Sequence, residues 1–129
     1  MIFKWDQGLI WISFEIEYEG SMSRIDNCIL DTGSATTAID IDLVDFNYRK
    51  HAEIKRLFGI GGGTQEVVSQ TVECFTIDGN TLNGINIEFG DFQEELGING
   101  FVGNDILSQF AVHIDYSLKI ISLNRSHKK

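Results

Sequence analysis

The sequence predicts an all-β domain with one short helix after a second glycine-containing loop. Apolar and polar side chains alternate along residues 10–18, and this period of two marks a half-buried strand. Residues 66–77 are rich in strand-forming side chains and end at an Asp-Gly-Asn turn signal at residues 78–80. A helix-like segment, residues 104–110, begins directly after Gly103. Strands joined by tight turns therefore dominate the predicted fold.

The length and charge of the chain limit the number of domains and the kind of partner. A chain of 129 residues is long enough for one domain with its own core and too short for two. We therefore expect a single domain over residues 1–129. The formal net charge is -9, with 19 Asp and Glu against 10 Lys and Arg. This balance argues against a nucleic-acid partner, because such a surface needs clustered positive charge.

Neither the cysteines nor the first residues suggest a metal site or a membrane segment. Cys28 and Cys74 are far apart and have no zinc-type spacing with the histidines, so we expect two buried thiols, no metal and no cofactor. The apolar run within residues 1–14 is interrupted by Asp6 and lacks a small-residue cleavage site. We expect no signal peptide and no membrane span, and a reducing cytoplasmic setting.

Turn signals and periodicity predict the strands and helical turns along the chain. The strand at residues 10–18 is followed by turn chemistry at residues 19–21 and by a second strand from Ser23 to Asp31. Residues 48–58 fit neither period cleanly. The other expected elements are a strand at 35–41, a helical turn at 42–46 with Asp42 as its N-cap, a strand at 82–89, an acidic loop at 91–97 and a closing hairpin from 111–115 and 119–124.

The first candidate site is the loop Asp31, Thr32, Gly33 and Ser34, which follows the apolar run at residues 28–30. A carboxylate placed directly after buried strand residues is costly unless its charge is used. Asp31 is therefore a candidate catalytic group. The alternative is an Asp-Gly-type turn that only closes a hairpin. Asp115, at another strand end, is expected to be a turn residue and not a second catalytic acid.

The second candidate loop has a similar pattern, in which an apolar pair precedes glycine. It comprises Gly100, Phe101, Val102 and Gly103, and it leads into the predicted helix. Asp105 lies near the N-terminus of that helix, where a carboxylate interacts favourably with the helix dipole.

A third feature is the glycine run that contains Ile60, Gly61, Gly62 and Gly63. Consecutive glycines give a hairpin tip the backbone freedom to open and close over a ligand. A phosphate-binding loop would need a following helix and usually a lysine, whereas strand-forming residues follow here. An idle surface hairpin remains an alternative.

These three parts, in this order, resemble the retropepsin-like aspartic proteases. That family has an Asp-Thr/Ser-Gly-Ala/Ser loop, a glycine-containing flap, and a hydrophobic-hydrophobic-Gly segment that leads into a short helix. The resemblance covers roughly residues 8–123 and is greater to the cellular single-domain forms than to the viral ones. It implies a small closed β-barrel, with residues 60–63 as the flap and the end of residues 48–58 as the strand that leads into it.

The resemblance also implies an activity and an assembly. Pepsin-like enzymes carry two Asp-Thr-Gly lobes in one chain, whereas this sequence has one such motif. The implied function is an aspartic endopeptidase whose dyad combines Asp31 with its counterpart in a homodimer, acting on a protein or peptide substrate. Thr32 would brace the two loops across the axis, Gly33 would allow tight packing, and Val102 and Gly103 would support the active loop from behind.

Two other functions stay open at this stage. The first is a dimeric peptide-binding module of the same fold with little or no proteolytic activity. The second is a structural β-domain in which the Asp-Thr-Gly loop is only a turn. Ser34 has two interpretations as well, because it either donates a hydrogen bond to Asp31 and lowers the pKa of the dyad, or it is a turn residue.

Overall fold

The structure is a computed structural model, and it describes residues 1–58 and 63–125. These residues form ten strands, two one-turn helices and one 3-10 turn. The strands are β1 (Lys4–Asp6), β2 (Leu9–Tyr18), β3 (Ser21–Leu30), β4 (Ala38–Asp40), β5 (Glu53–Phe58), β6 (Thr64–Ile77), β7 (Asn80–Gly90), β8 (Gly100–Val102), β9 (Phe110–Asp115) and β10 (Ile120–Arg125); the helices are α1 (Gln93–Leu96) and α2 (Asn104–Leu107), and the 3-10 turn is Ile41–Leu43.

Eight strands form one sheet in the order β1-β2-β3-β8-β4-β7-β6-β5, and β9 pairs with β10 in a separate hairpin. A further pairing between β2 and β6 closes six of the strands into a ring. The β3–β8 and β4–β7 pairs are parallel, so each joins segments that are distant in sequence. The all-β prediction is confirmed. Within the described ranges, no helix is long and apolar enough to cross a membrane.

The main core lies on one side of this sheet. The five apolar side chains that alternate along β2 are all buried, as the period of two predicts, and β3, β6, β7, α2 and β10 contribute most of the other members of the cluster. Phe14 stacks on Phe75 with ring centroids 4.6 Å apart. Cys28 is buried there as predicted, and burial together with the charge of Asp26 raises its pKa to about 12. Cys74 is only half-buried, because its sulfur faces Asn83 at the surface.

The opposite side of the sheet carries a second set of side chains, which we call the Asp31 face. Cys28 and Leu30 point into the main core, so the alternation of a strand directs Ile29 and Asp31 to the other side. Cross-strand partners share a face. The register therefore extends the Asp31 face from Ile29 to Trp11, Phe101, Ala38 and Glu88.

The segment after the Asp31 loop differs from the prediction. The strand covers only Ala38–Asp40, because the preceding residues form a turn that contacts the second loop. The helical turn is Ile41–Leu43 and not residues 42–46, and its N-cap is Asp40, which accepts a hydrogen bond from the Asp42 amide. Asp40 is fully buried, and its other oxygen accepts from the amides of Phe92 and Gln93. One carboxylate thus satisfies the starts of two helical turns.

The helices near the second loop also differ from the prediction. The expected acidic loop at residues 91–97 contains α1, and Asp40 accepts the amides of Phe92 and Gln93 at its start. The described residues therefore hold two short helices where one was expected. The predicted helix at residues 104–110 is the single turn Asn104–Leu107, because the chain enters β9 at Phe110. The last part of the ambiguous stretch before the glycine run is a strand, Glu53–Phe58.

Candidate active site

Asp31 stands one residue beyond the end of β3, on the loop that the sequence singled out. Its amide continues the parallel ladder by donating to the Val102 carbonyl at 2.9 Å. Its carboxylate oxygen Oδ1 accepts from the Gly33 amide at 2.9 Å. Asp31 is half-buried, while Thr32 and Gly33 are exposed. The loop therefore presents a carboxylate of fixed orientation to the outside of the monomer.

Ser34 makes its contacts within the loop. Its hydroxyl donates to the Thr36 carbonyl at 2.8 Å and accepts from the Thr36 amide at 3.3 Å. The Ser34 amide donates to the Asp31 carbonyl at 3.2 Å, which closes the turn. These contacts favour the interpretation of Ser34 as a turn residue over that of a donor to the Asp31 carboxylate.

The second loop lies directly behind the first, and its glycines are required by close backbone approach. A Cβ at Gly103 would lie 2.1 Å from the Thr36 carbonyl oxygen and 2.8 Å from the Ser34 carbonyl oxygen. A Cβ at Gly100 would lie 2.3 Å from the Ala38 carbonyl oxygen. Backbone atoms cannot yield to a side chain at such distances, so both positions accept only glycine without rearrangement.

A buried threonine links the two loops through its side chain. The Thr37 hydroxyl donates to Asp105 Oδ1 at 2.7 Å and accepts from the Gly103 amide at 3.0 Å. The Thr37 amide donates to Asp105 Oδ2 at 3.2 Å. The sequence analysis missed Thr37 and assigned Asp105 only to the helix dipole. A threonine within an apolar run gave no signal, because its partner lies 68 residues away.

Further hydrogen bonds run from α2 to the first loop. The Asn104 amide donates to the Ser34 carbonyl at 2.8 Å, and its side-chain Nδ2 donates to the Thr32 carbonyl at 2.7 Å. The Asp105 amide donates to the Ala35 carbonyl at 3.2 Å. Backbone carbonyls of the Asp31 loop are thereby held by the first turn of α2, which limits how far the loop can move.

The structure brings together two of the three predicted parts of the site. Phe101 is half-buried on the Asp31 face, and Val102 is buried in the main core. Of the glycine run, Ile60, Gly61 and Gly62 lie outside the described residues. Gly63 is described and exposed, and the run connects β5 to β6, which pair up to Phe58 opposite Thr64. The assignment of a flap stays a prediction.

Comparison with known proteins now adds an independent observation. The sequence model for the retroviral aspartyl protease family matches residues 4–115, which includes both loops and the glycine run. The chain belongs to the retroviral aspartyl protease family. The match spans all six strands of the ring, so the family assignment applies to the fold as well as to the Asp31 motif.

A solved structure of this family type is similar over almost the whole chain. The crystal structure of a retropepsin-like aspartic protease from Rickettsia conorii superposes with a TM-score of 0.67 at 19% sequence identity. The similarity covers 97% of this chain and 89% of that one. At such low identity it shows the shared fold alone. Among curated proteins, none matches the sequence.

Proposed function

We propose that this member of the retroviral aspartyl protease family is an aspartic endopeptidase whose active site forms between two copies of the chain. The observation that carries the proposal is the presentation of Asp31, a half-exposed carboxylate on a loop held from behind by the second loop. The Asp-Thr-Gly motif occurs once in the sequence. A second aspartate of the same kind must therefore come from a partner copy.

A two-fold dimer would supply that aspartate by symmetry. In an isologous interface the same patch of both subunits meets at the axis, so Asp31 and its counterpart face each other. Thr32 is exposed beside Asp31, where it would brace the two loops across the axis. In this arrangement the described chain is one half of a shared site.

The chemistry follows from two carboxylates that are too close to be ionised together. Such a pair shares one proton near neutral pH, and its apparent pKa values belong to the pair. The ionised carboxylate takes a proton from a water molecule, whose oxygen attacks the peptide carbonyl carbon. The protonated carboxyl donates to the developing oxyanion. Transfer of a proton to the amide nitrogen then allows the C–N bond to break.

The substrate in this proposal is an extended protein or peptide segment that lies across the Asp31 face. Trp11, Ile29 and Phe101 provide apolar surface near Asp31, and all three are half-buried in the monomer. Residues 60–63 would cover the segment as a flap. Main-chain hydrogen bonds would hold the backbone of the substrate, and alternate side chains would enter pockets on the face. We expect apolar residues on both sides of the scissile bond.

The decisive experiment replaces Asp31 with Asn in a digest of a mixed peptide library, read by mass spectrometry. Asn matches the shape of the carboxylate and cannot act as the base, so cleavage should fall by roughly 10³-fold or more. Asp115→Asn is the matched control, because Asp115 accepts the Leu118 amide in a surface hairpin and Asn retains that acceptor. Cleavage that persists in a pure Asp31→Asn preparation would refute the mechanism.

A dilution series tests the shared site separately. If each active centre needs two chains, the specific activity of the wild-type protein should fall as dimers dissociate. Analytical ultracentrifugation over the same concentration range provides the dimer fraction. An activity per chain that is independent of concentration, measured on a monomer, would exclude the two-chain site. Peptide binding without cleavage by the dimer would favour the binding-module alternative.

A further inference from the structure

A buried carboxylate lies on the Asp31 face away from the two loops. Glu88 is 2% exposed, and the register places it opposite Ala38 of β4 and Ser69 of β6. Its amide donates to the carbonyl of Thr37, the residue that links the two loops. Glu88 is therefore fixed to the same framework that holds Asp31. No local signal marks Glu88 in the sequence, because it lies between two apolar residues of β7.

The hydrogen bonding of Glu88 is incomplete. Oε1 lies 3.7 Å from Lys55 Nζ, which is longer than a hydrogen bond. Oε2 is buried and has no hydrogen-bond partner among the residues that the structure describes. The neighbouring Ser69 hydroxyl accepts from the side chain of Asn86 at 2.6 Å, and it is not within hydrogen-bond distance of Oε2. A buried carboxylate oxygen without a donor is costly, so this position favours an incoming hydrogen-bond donor.

The cation beside Glu88 is weakly held. The side chain of Lys55 is 41% exposed, in contrast to 3% for that of Glu88. A half-exposed lysine at this distance is itself easily hydrated, but its departure alone would leave the buried carboxylate without a counter-charge. Lys55 therefore moves into water at small cost only when another cation takes its place beside Glu88.

The surroundings of Glu88 suit a long side chain with a charged end. The buried cluster on this side of the sheet comprises Ala38, Val67, Phe92 and Ile98. Four half-buried apolar side chains pack against this cluster, namely Trp11, Ile29, Leu57 and Phe101. Their exposed surface suits the methylene stem of lysine or arginine, whose charged head would reach Glu88 once Lys55 has moved away. A charge-assisted hydrogen bond is also stronger than one from a neutral donor.

The sheet order gives the distance of Glu88 from the scissile bond. β7 is the third strand from β3 in the order β3-β8-β4-β7. Neighbouring strands are about 4.8 Å apart, so the distance from β3 to β7 along a flat sheet is about 14 Å. An extended peptide advances about 3.3 Å per residue, so this span corresponds to roughly four residues, and to fewer where the sheet curves.

We propose that Glu88 is a specificity-determining residue that binds a lysine or arginine side chain of the substrate, about two to four residues from the scissile bond. The proposal rests on the proposed function in one respect, namely that the Asp31 face is the peptide-binding groove. Lys55 then acts as a competitor that leaves the carboxylate when the substrate cation arrives. Removing Glu88 and removing Lys55 should therefore have opposite effects.

The test measures binding to the Asp31→Asn protein, so that its readout does not depend on catalysis. A library of randomised peptides is passed over the immobilised protein, and the retained peptides are sequenced by mass spectrometry. Lysine and arginine should be enriched at one position relative to the peptide centre. Individual peptides with lysine or norleucine at that position then give a ratio of Kd values by fluorescence anisotropy.

In that assay Glu88→Gln should reduce the preference for lysine over norleucine about tenfold, because it removes the charge and keeps the shape. Lys55→Met should increase the preference about threefold, because it removes the competing cation while keeping the apolar stem. Glu66→Gln is the matched control. Glu66 is exposed on β6, and because it lies three residues from Ser69 its side chain is on the opposite side of the sheet from Glu88. The control accounts for the general attraction of basic peptides to a chain of net charge -9.

The outcomes separate this inference from the proposed function. A preference for basic residues that survives Glu88→Gln, enrichment of neutral side chains only, or retention of no peptide would each overturn the inference. If both Glu88→Gln and Lys55→Met leave the ratio unchanged in folded protein, verified by thermal unfolding, the inference is also wrong. A Glu88-dependent preference in a wild-type protein that cleaves nothing would support the inference and refute the protease proposal.

Discussion

The two glycine loops have similar sequence patterns and opposite environments. In the Asp31 loop, residues 31–34, Thr32 and Gly33 are exposed and the carboxylate reaches the surface. In the second loop, residues 100–103, three of the four residues are buried and Phe101 is half-buried. The first loop carries the proposed catalytic carboxylate, and the second supplies the backbone surface on which the first loop rests. In our proposal, chemistry and support are thus divided between two copies of one pattern.

The glycines show this division most clearly. Among the residues described, a Cβ at Gly33 would meet only Asp31 Oδ1, at 3.2 Å, whereas a Cβ at Gly103 would lie 2.1 Å from a backbone carbonyl oxygen. Space is therefore critical in the second loop and much less so in the first. We expect substitutions in the Asp31 loop to reduce activity with little change in stability, and substitutions behind it to reduce stability first.

The largest effect on stability is expected for Gly103→Ala, which tests the supporting role of the second loop. The new methyl group would overlap the Thr36 carbonyl, and we expect a loss of roughly 3 kcal/mol in the free energy of unfolding, measured by urea denaturation. Gly63→Ala is the matched control, because a Cβ there meets no atom of the described residues within 4 Å. Equal stability of the two variants would contradict the supporting role of the second loop.

A medium effect is expected from Thr37→Val, which keeps the shape and removes the hydroxyl. The buried Gly103 amide would lose its partner, while Asp105 Oδ1 would keep only the Ile106 amide, and we expect a cost of about 2 kcal/mol of unfolding free energy. The control is Thr71→Val, since Thr71 is exposed on β6. If thermal and urea unfolding give the same stability for both variants, the Thr37 link does not hold the loops together.

The smallest effect on stability is expected for Ser34→Ala. This variant distinguishes a turn residue from a hydrogen-bond donor to Asp31. The Ser34 hydroxyl bonds to Thr36, so the loss should be about 1 kcal/mol of stability. The acid limb of the pH-rate profile should stay in place, because the hydroxyl does not donate to Asp31 in this structure. Circular dichroism at each pH separates unfolding from titration. An acid limb that moves to higher pH would show that Ser34 stabilises the ionised dyad after all.

Local pattern predicted much of the strand content. The alternation along β2 identified its buried residues before any contact was known, because the side chains of a strand point to opposite faces in turn. The Asp-Gly-Asn turn between β6 and β7 was likewise evident, since few residue types adopt that backbone conformation. The Asp31 motif and the second loop were found from short apolar runs followed by glycine, and their resemblance to one family gave their relation in space.

The tertiary structure alone decided which polar residues are buried and what they contact. Period-two alternation assigns Glu88 to a face of β7, but it carries no information about what covers that face. The side-chain partners of Thr37 lie more than 50 residues away, as do the two amides at the start of α1 that Asp40 accepts, and no local signal specifies these pairings. The sequence did not predict α1 for the same reason, because the carboxylate that accepts its first amides is distant in the chain. A sequence determines the face on which a side chain lies, and packing between distant segments determines the environment of its charge.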